Sequence, residues 1–147
     1  DDLTSFELAV LLQMTFPGAP SIYYGDEVGL AGAHDPDCRR SFPPKSQWNQ
    51  KLLTLHKELI ALRHAHPALR TGTYETLVAE GDTYGFIRRE ESETLVVVIN
   101  GGDTPHSIDF SESNLNLSLL WSLATVEYTS HQLSLSTKSA AILKAGQ

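Results

Sequence analysis

The sequence predicts an α/β segment, the closing part of a repeated βα architecture, followed by a small all-β domain built as an antiparallel sandwich. Residues 1–66 carry two helical patterns on either side of a single short β-prone run. Beyond Gly72, short β-prone runs alternate with turn signals. A lone strand leaves the backbone donors and acceptors of both its edges without partners, so it calls for strands from elsewhere. A parallel sheet also needs helices on its faces. The alternative is that the short strand joins the sheet of the β domain.

Thr4-Ser5-Phe6-Glu7 reads as a capping box, with Leu3 and Leu8 at staple positions, so a helix is expected from about Ser5. It carries Phe6, Val10, Leu11 and Met14 and stops before Pro17-Gly18. Pro20 to Tyr24 is β-prone and is closed by Gly25. In the second helix Trp48, Leu52, Leu55, Leu59, Leu62 and His66 follow at spacings of 4, 3, 4, 3 and 4, which is one apolar stripe. Ser46 is its expected N-cap, and Pro67 ends it. The domain boundary falls between Pro67 and Gly72, giving units 1–68 and 69–147.

In the second unit strands are expected at Tyr74 to Val78, Thr83 to Arg89, Thr94 to Asn100, Ser107 to Phe110, Leu117 to Leu123, Val126 to Tyr128, Gln132 to Leu135 and Ala140 to Lys144. Gly81-Asp82 and Gly101-Gly102 mark turns. Ile108/Phe110 and Leu133/Leu135 alternate as half-buried strands do, whereas Leu95 to Ile99 reads as buried on both faces.

The composition excludes several functions. With 18 acidic against 11 basic side chains and a formal charge of −7, no basic stripe is present to neutralise a nucleic-acid backbone or an anionic membrane. The single cysteine, Cys38, rules out an internal disulfide and a cysteine-based zinc site, and it fits a reducing, cytoplasmic compartment. The longest aliphatic run, Leu95 to Ile99, is far short of the roughly 20 residues that span a bilayer.

The run from Phe16 to Glu27, FPGAPSIYYGDE, resembles the eighth-strand region of the α-amylase family of glycoside hydrolases. Gly32 to Arg40, GAHDPDCRR, is similar to the neopullulanase, cyclomaltodextrinase and maltogenic amylase group of that family. Leu62 to Arg70, LRHAHPALR, is similar to its final barrel helix and the exit into its C-terminal β domain. The resemblance implies the last strand and helices of a (β/α)8 TIM barrel, then that β domain. It also implies a retaining enzyme acting on α-glucosidic bonds of maltooligosaccharides, cyclodextrins or pullulan, whose catalytic carboxylates lie on strands before Asp1. The matching aspartate and arginine of the group help to bind substrate on its non-reducing side, so Asp35 and Arg39 are the candidate substrate-binding residues. The chain departs from the group after Phe42-Pro43, where Pro44-Lys45 stand in place of a tryptophan and an acidic residue.

The residues themselves admit other readings. Asp26-Glu27 is a tempting carboxylate pair, but glycoside hydrolysis needs two carboxyls flanking one bond, about 5–5.5 Å apart for retention. Adjacent residues continuing a strand point to opposite faces, so a structural role is favoured over a catalytic one. His34, Asp35, Asp37 and Cys38 crowd one loop, yet their spacing fits no calcium or zinc motif. No metal and no cofactor is expected. Asp35 can accept from sugar hydroxyls while Arg39 presents a fork of donors. Equally, Asp35/Arg39 and Asp37/Arg40 could be ion pairs that only order the loop.

Tyr23 or Tyr24 could stack on a glucose ring. Trp121 and Tyr128 would be the platform if the chain were instead a non-catalytic glucan-binding module. A purely structural β module is the remaining alternative. The expected partner is an α-glucan or maltooligosaccharide, with no nucleic acid and no membrane, and a homodimer is left open for the full-length protein. An incomplete barrel is also expected to expose the apolar face of the Trp48 to Leu62 helix and to drive self-association.

Overall fold

The computed structural model describes residues 2–113, 115–129 and 131–146. The first helix, α1, spans Leu3–Thr15. Its cap is Asp2, whose carboxylate accepts from the Ser5 amide at 3.2 Å. The capping box expected at Thr4 and Glu7 is therefore displaced by two residues. Asp2 caps as well as threonine does, and Glu7 is drawn inward, 1% exposed, to pair with Lys51 on the second helix. Val10, Leu11 and Met14 are buried as the apolar pattern required, and Leu8 with them, whereas Phe6 is half-buried.

At its C-terminus α1 has no glycine cap. Its last carbonyls are met by two arginines instead. Arg63 donates to the carbonyls of Met14 at 2.7 Å, of Phe16 at 3.3 Å, and of Gly18. Arg88 donates to that of Thr15 at 2.7 Å. Cations suit this end of a helix, where the unsatisfied carbonyls gather negative potential.

The strand expected at Pro20 to Tyr24 does not form. Both sheets are made of residues beyond Gly72, and none of their strands lies alongside this run. Without a neighbouring ladder it stays irregular, tied to α1 by Gln13, whose side-chain amide donates to the Ser21 carbonyl at 2.6 Å.

The second helix, α2, spans Gln50–Ala65 and is capped by Asn49, which accepts from the Lys51 and Leu52 amides at 3.1 Å. The expected cap, Ser46, lies instead in a 3₁₀ turn over Lys45–Gln47. Trp48 thus falls outside the helix. Its ring meets Phe42 edge-on at 5.8 Å and its indole N–H donates to the Pro43 carbonyl at 2.9 Å.

Leu52, Leu55 and Leu59 do form the stripe, at 0%, 6% and 1% exposure. The expectation that this face lies open is overturned, because α1 and the large sheet cover it. A short helix, α3, follows at Pro67–Thr71.

All eight expected strands are present: β1 Thr73–Glu80, β2 Thr83–Glu90, β3 Glu93–Asn100, β4 His106–Asp109, β5 Leu117–Leu123, β6 Val126–Thr129, β7 Gln132–Leu135 and β8 Ser139–Ala145. They pair antiparallel in one sheet of order β1-β2-β3-β8-β5 and a second of order β4-β7-β6. The two-residue period of a strand divides the core. Phe86, Val97, Ile99, Ala140 and Ile142 face α1 and α2, whereas Ile87, Val96, Val98, Ala141 and Leu143 face Phe110, Leu133 and Leu135 of the smaller sheet side. The result is three layers, helices on a large sheet on a small sheet, and β3 is buried on both faces as its sequence predicts.

One ion cluster ties the helices to the sheet. Glu93, its side chain 6% exposed, accepts from His66 Nδ1 at 2.8 Å and from the Ala68 amide at 3.0 Å, with Lys144 Nζ at 3.6 Å. Burial pushes its carboxyl up, but the His66 and Ala68 hydrogen bonds and the nearby charges outweigh this and hold it below the usual glutamate range. With the folded-state value depressed, the stability due to Glu93 is complete above the unfolded value of about 4.3 and is lost as pH falls through the lower folded value. Glu93→Gln is expected to flatten that acid limb of unfolding free energy against pH. Parallel acid limbs in the two proteins would refute the assignment.

Candidate functional site

The residues that carry the sequence signature fold into a loop between the end of α1 and the start of α2. Gly25 opens a 3₁₀ turn over Asp26–Val28 with a φ of 97°, a conformation that glycine adopts without strain. A side chain on Gly25 would also collide with Leu30, whose nearest atoms lie 2.7 Å from the site of its Cβ. Glu27 turns back to accept from the Gly25 amide at 2.8 Å. This is the loop-bracing role favoured by the sequence.

Asp26 points elsewhere. It borders two small cavities, one of about 270 Å³ shared with Phe6 and Leu52, and one of about 140 Å³ shared with Tyr23, Tyr24 and Cys38. Burial first, and then the neighbouring Glu27 charge, push its carboxyl above the usual aspartate range, while His56 pulls the other way.

The second half of the loop is held by paired charges. Arg40 grips Asp37 with two hydrogen bonds, Nε to Oδ1 at 2.6 Å and Nη2 to Oδ2 at 2.8 Å. Asp37 also accepts from the Ala33 amide at 2.7 Å, and these bonds hold its carboxyl below the usual range, the Arg40 bond foremost. Tyr24 donates its hydroxyl to the Arg40 carbonyl at 3.0 Å, which closes the loop onto its own start. Gly32 lies so near the Cys38 backbone that a Cβ there would stand 2.9 Å from Cys38 Cα.

Both candidate substrate-binding residues sit on this frame. Arg39 Nη2 donates to Asp35 Oδ2 at 3.0 Å, with the side chains 70% and 58% exposed. The structure thus brings the two together, at the surface, with the rest of each polar head turned to solvent. An exposed pair of this kind adds little to stability, roughly 0–1 kcal/mol.

The two tyrosines are also at the surface, their rings 4.7 Å apart at 39°. Cys38 is an exposed free thiol. Trp121 and Tyr128 lie far along the chain on β5 and β6. Both are half-buried: Tyr128 packs edge-on against Phe110 at 6.3 Å beside the small-sheet core, and Trp121 packs against the helix-side core while bordering a separate cleft. Among the described residues no helix is long and apolar enough to cross a membrane.

No family model matches the chain. Two curated relatives are a cyclomaltodextrinase of Bacillus sp, 41% identical over 110 residues, and neopullulanase 2 of Thermoactinomyces vulgaris, 45% identical over 98 residues. These matches cover 73% and 65% of this chain. Among solved structures, the debranching enzyme from Nostoc punctiforme superposes over 97% of the chain with a TM-score of 0.82 and 43% identity. The chain spans 20%, 17% and 31% of the lengths of these three proteins. Sequence and fold agree over nearly the whole chain, helices and β layers together, and on that ground the chain belongs to the α-amylase family of glycoside hydrolases.

Proposed function

We propose that the chain is the C-terminal part of an enzyme that hydrolyses α-glucosidic bonds of maltooligosaccharides, cyclodextrins or pullulan. Residues 1–68 are then the last portion of its (β/α)8 barrel and residues 69–147 its β-sandwich domain. The catalytic carboxylates belong to earlier barrel strands, and the mechanism is retaining. The observation that carries this reading is the agreement with family members over the loop and the β layers at once. The irregular run at Pro20 to Tyr24 fits as well, since it belongs to neither sheet of the β layers and has the composition of a barrel strand.

Within that enzyme Asp35 and Arg39 bind the sugar. Their exposed heads and shared hydrogen bond present an acceptor next to a fork of donors. The Asp37–Arg40 clamp fixes the loop that bears them, so little ordering remains to be done when substrate arrives.

In the full-length enzyme, Asp35→Ala and Arg39→Ala are each expected to raise KM for maltotriose or a cyclodextrin at least about tenfold, matching the roughly 1.5–3 kcal/mol of a charged hydrogen bond. An unchanged KM in both would defeat the assignment. The 147-residue chain alone is expected to release no reducing sugar from either substrate. Release above a blank would show that the chemistry does not depend on upstream carboxylates.

A further inference from the structure

A cleft of about 470 Å³ opens between α1, α2 and the end of β5, and it shares no lining residue with the Asp35 loop. One wall is the face of α2 that presents Lys51, Thr54 and Glu58, and the other is Trp121 and Ser122, with Glu7 of α1 at its base. Trp121 owes its position to an irregularity. The register of β5 against β8 shifts between Leu119 and Trp121, and such bulges redirect the side chain that follows.

The base of the cleft is charged and buried. Glu7 is 1% exposed. Lys51 Nζ stands 2.7 Å from Oε1 and 3.0 Å from Oε2, and this exposed ammonium, held in place by the buried carboxylate, keeps donor capacity for a ligand.

The chemistry of the lining selects the ligand. Glu7 and Glu58 against Lys51 leave the cleft with a net charge of −1, which repels phosphates and carboxylates. An indole face offers an apolar, flat surface, while the exposed Thr54, Ser122, Lys51 and Glu58 offer donors and acceptors around it. A pyranose ring has that same division, C–H groups on its face and hydroxyls on its rim. The volume lies within the range of small-molecule sites.

We propose that this cleft is an accessory glucan-binding site that holds a short α-glucan segment stacked on Trp121, apart from the residues assigned to the substrate. The choice of an α-glucan over other neutral sugars rests on the function proposed above.

The test uses the 147-residue chain with Trp48→Phe, which leaves Trp121 as the only tryptophan. Titration with maltoheptaose is expected to give a saturable change in tryptophan fluorescence. The double variant Thr54→Ala/Glu58→Ala alters only exposed positions and keeps the circular dichroism, and in it the affinity is expected to fall at least tenfold. No saturable signal, an undiminished affinity in the double variant, or equal binding of cellohexaose would each overturn the proposal. The active-site reading is tested separately, on the full-length enzyme with maltotriose. Maltotriose hydrolysis without a Trp121 signal would overturn the cleft alone. A Trp121 signal without maltotriose hydrolysis would support the cleft and count against the catalytic reading.

Discussion

Arg88→Met is expected to destabilise the fold by about 3–5 kcal/mol, because it orphans buried carbonyls at roughly 1–3 kcal/mol each. Arg88 is 1% exposed, and its hydrogen-bond partners among the described residues are backbone carbonyls. Its guanidinium is held by carbonyls, Thr15 at 2.7 Å, Leu69 at 3.1 Å, Gly72 at 3.0 Å and Thr73 at 3.1 Å. Methionine replaces the volume but none of the donors, so the buried Thr15 and Leu69 oxygens would lose their partner where water does not readily reach. A domain of this size has only about 5–15 kcal/mol in hand, so urea unfolding should show the midpoint falling sharply. A shift below about 1 kcal/mol would mean that water or a rearranged backbone satisfies those carbonyls, and the assignment would fail.

Phe86→Ala is expected to lose a comparable amount, about 3–5 kcal/mol, for a different reason. Phe86 is fully buried where β2 meets the helices. Phe16, Tyr74 and Tyr84 surround its ring at centroid distances of 5.9, 5.5 and 5.8 Å. Truncation removes the central ring of that group and leaves a cavity that the two-layered wall cannot fill. Phe86→Leu, which keeps most of the volume, should lose much less. Equal losses from both variants, read from thermal midpoints, would show that packing around the ring is not what matters.

The strands were legible because their information is local. Each is a short run of β-branched and aromatic residues bounded by glycine or polar turns, and the two-residue alternation assigns its faces directly. Helix starts were less legible, since Thr4 and Asp2, or Ser46 and Asn49, are chemically equivalent caps. The choice between them is made by Glu7 turning to Lys51 in one case and by the 3₁₀ turn before Trp48 in the other. The run at Pro20 to Tyr24 has strand composition but no ladder, because propensity cannot supply a partner.

Arg63 and Arg88 escaped sequence reasoning altogether. An arginine on an amphipathic helix or strand looks like a surface charge until the end of α1 is brought against it. The candidate loop was partly legible, since Asp35/Arg39 and Asp37/Arg40 stand four and three residues apart and meet within one turn. The cleft beside Trp121 was not, because Glu7, Glu58 and Trp121 lie on segments joined only by the packing of helices on the sheet.

The place of β8 between β3 and β5 bears on how this protein is made. Both cores draw on it, Ala140 and Ile142 on the helix side and Ala141 and Leu143 on the other. Hairpins β1-β2-β3 can form while the chain is still leaving the ribosome, but one edge of β3 has no ladder partner until residues 139–145 have emerged. The nascent chain therefore carries a half-finished sheet with an open edge through most of the synthesis of this region, the state most prone to pairing with neighbouring chains. A premature stop that removes β8 would leave β5 without its ladder and both cores without the strand they share.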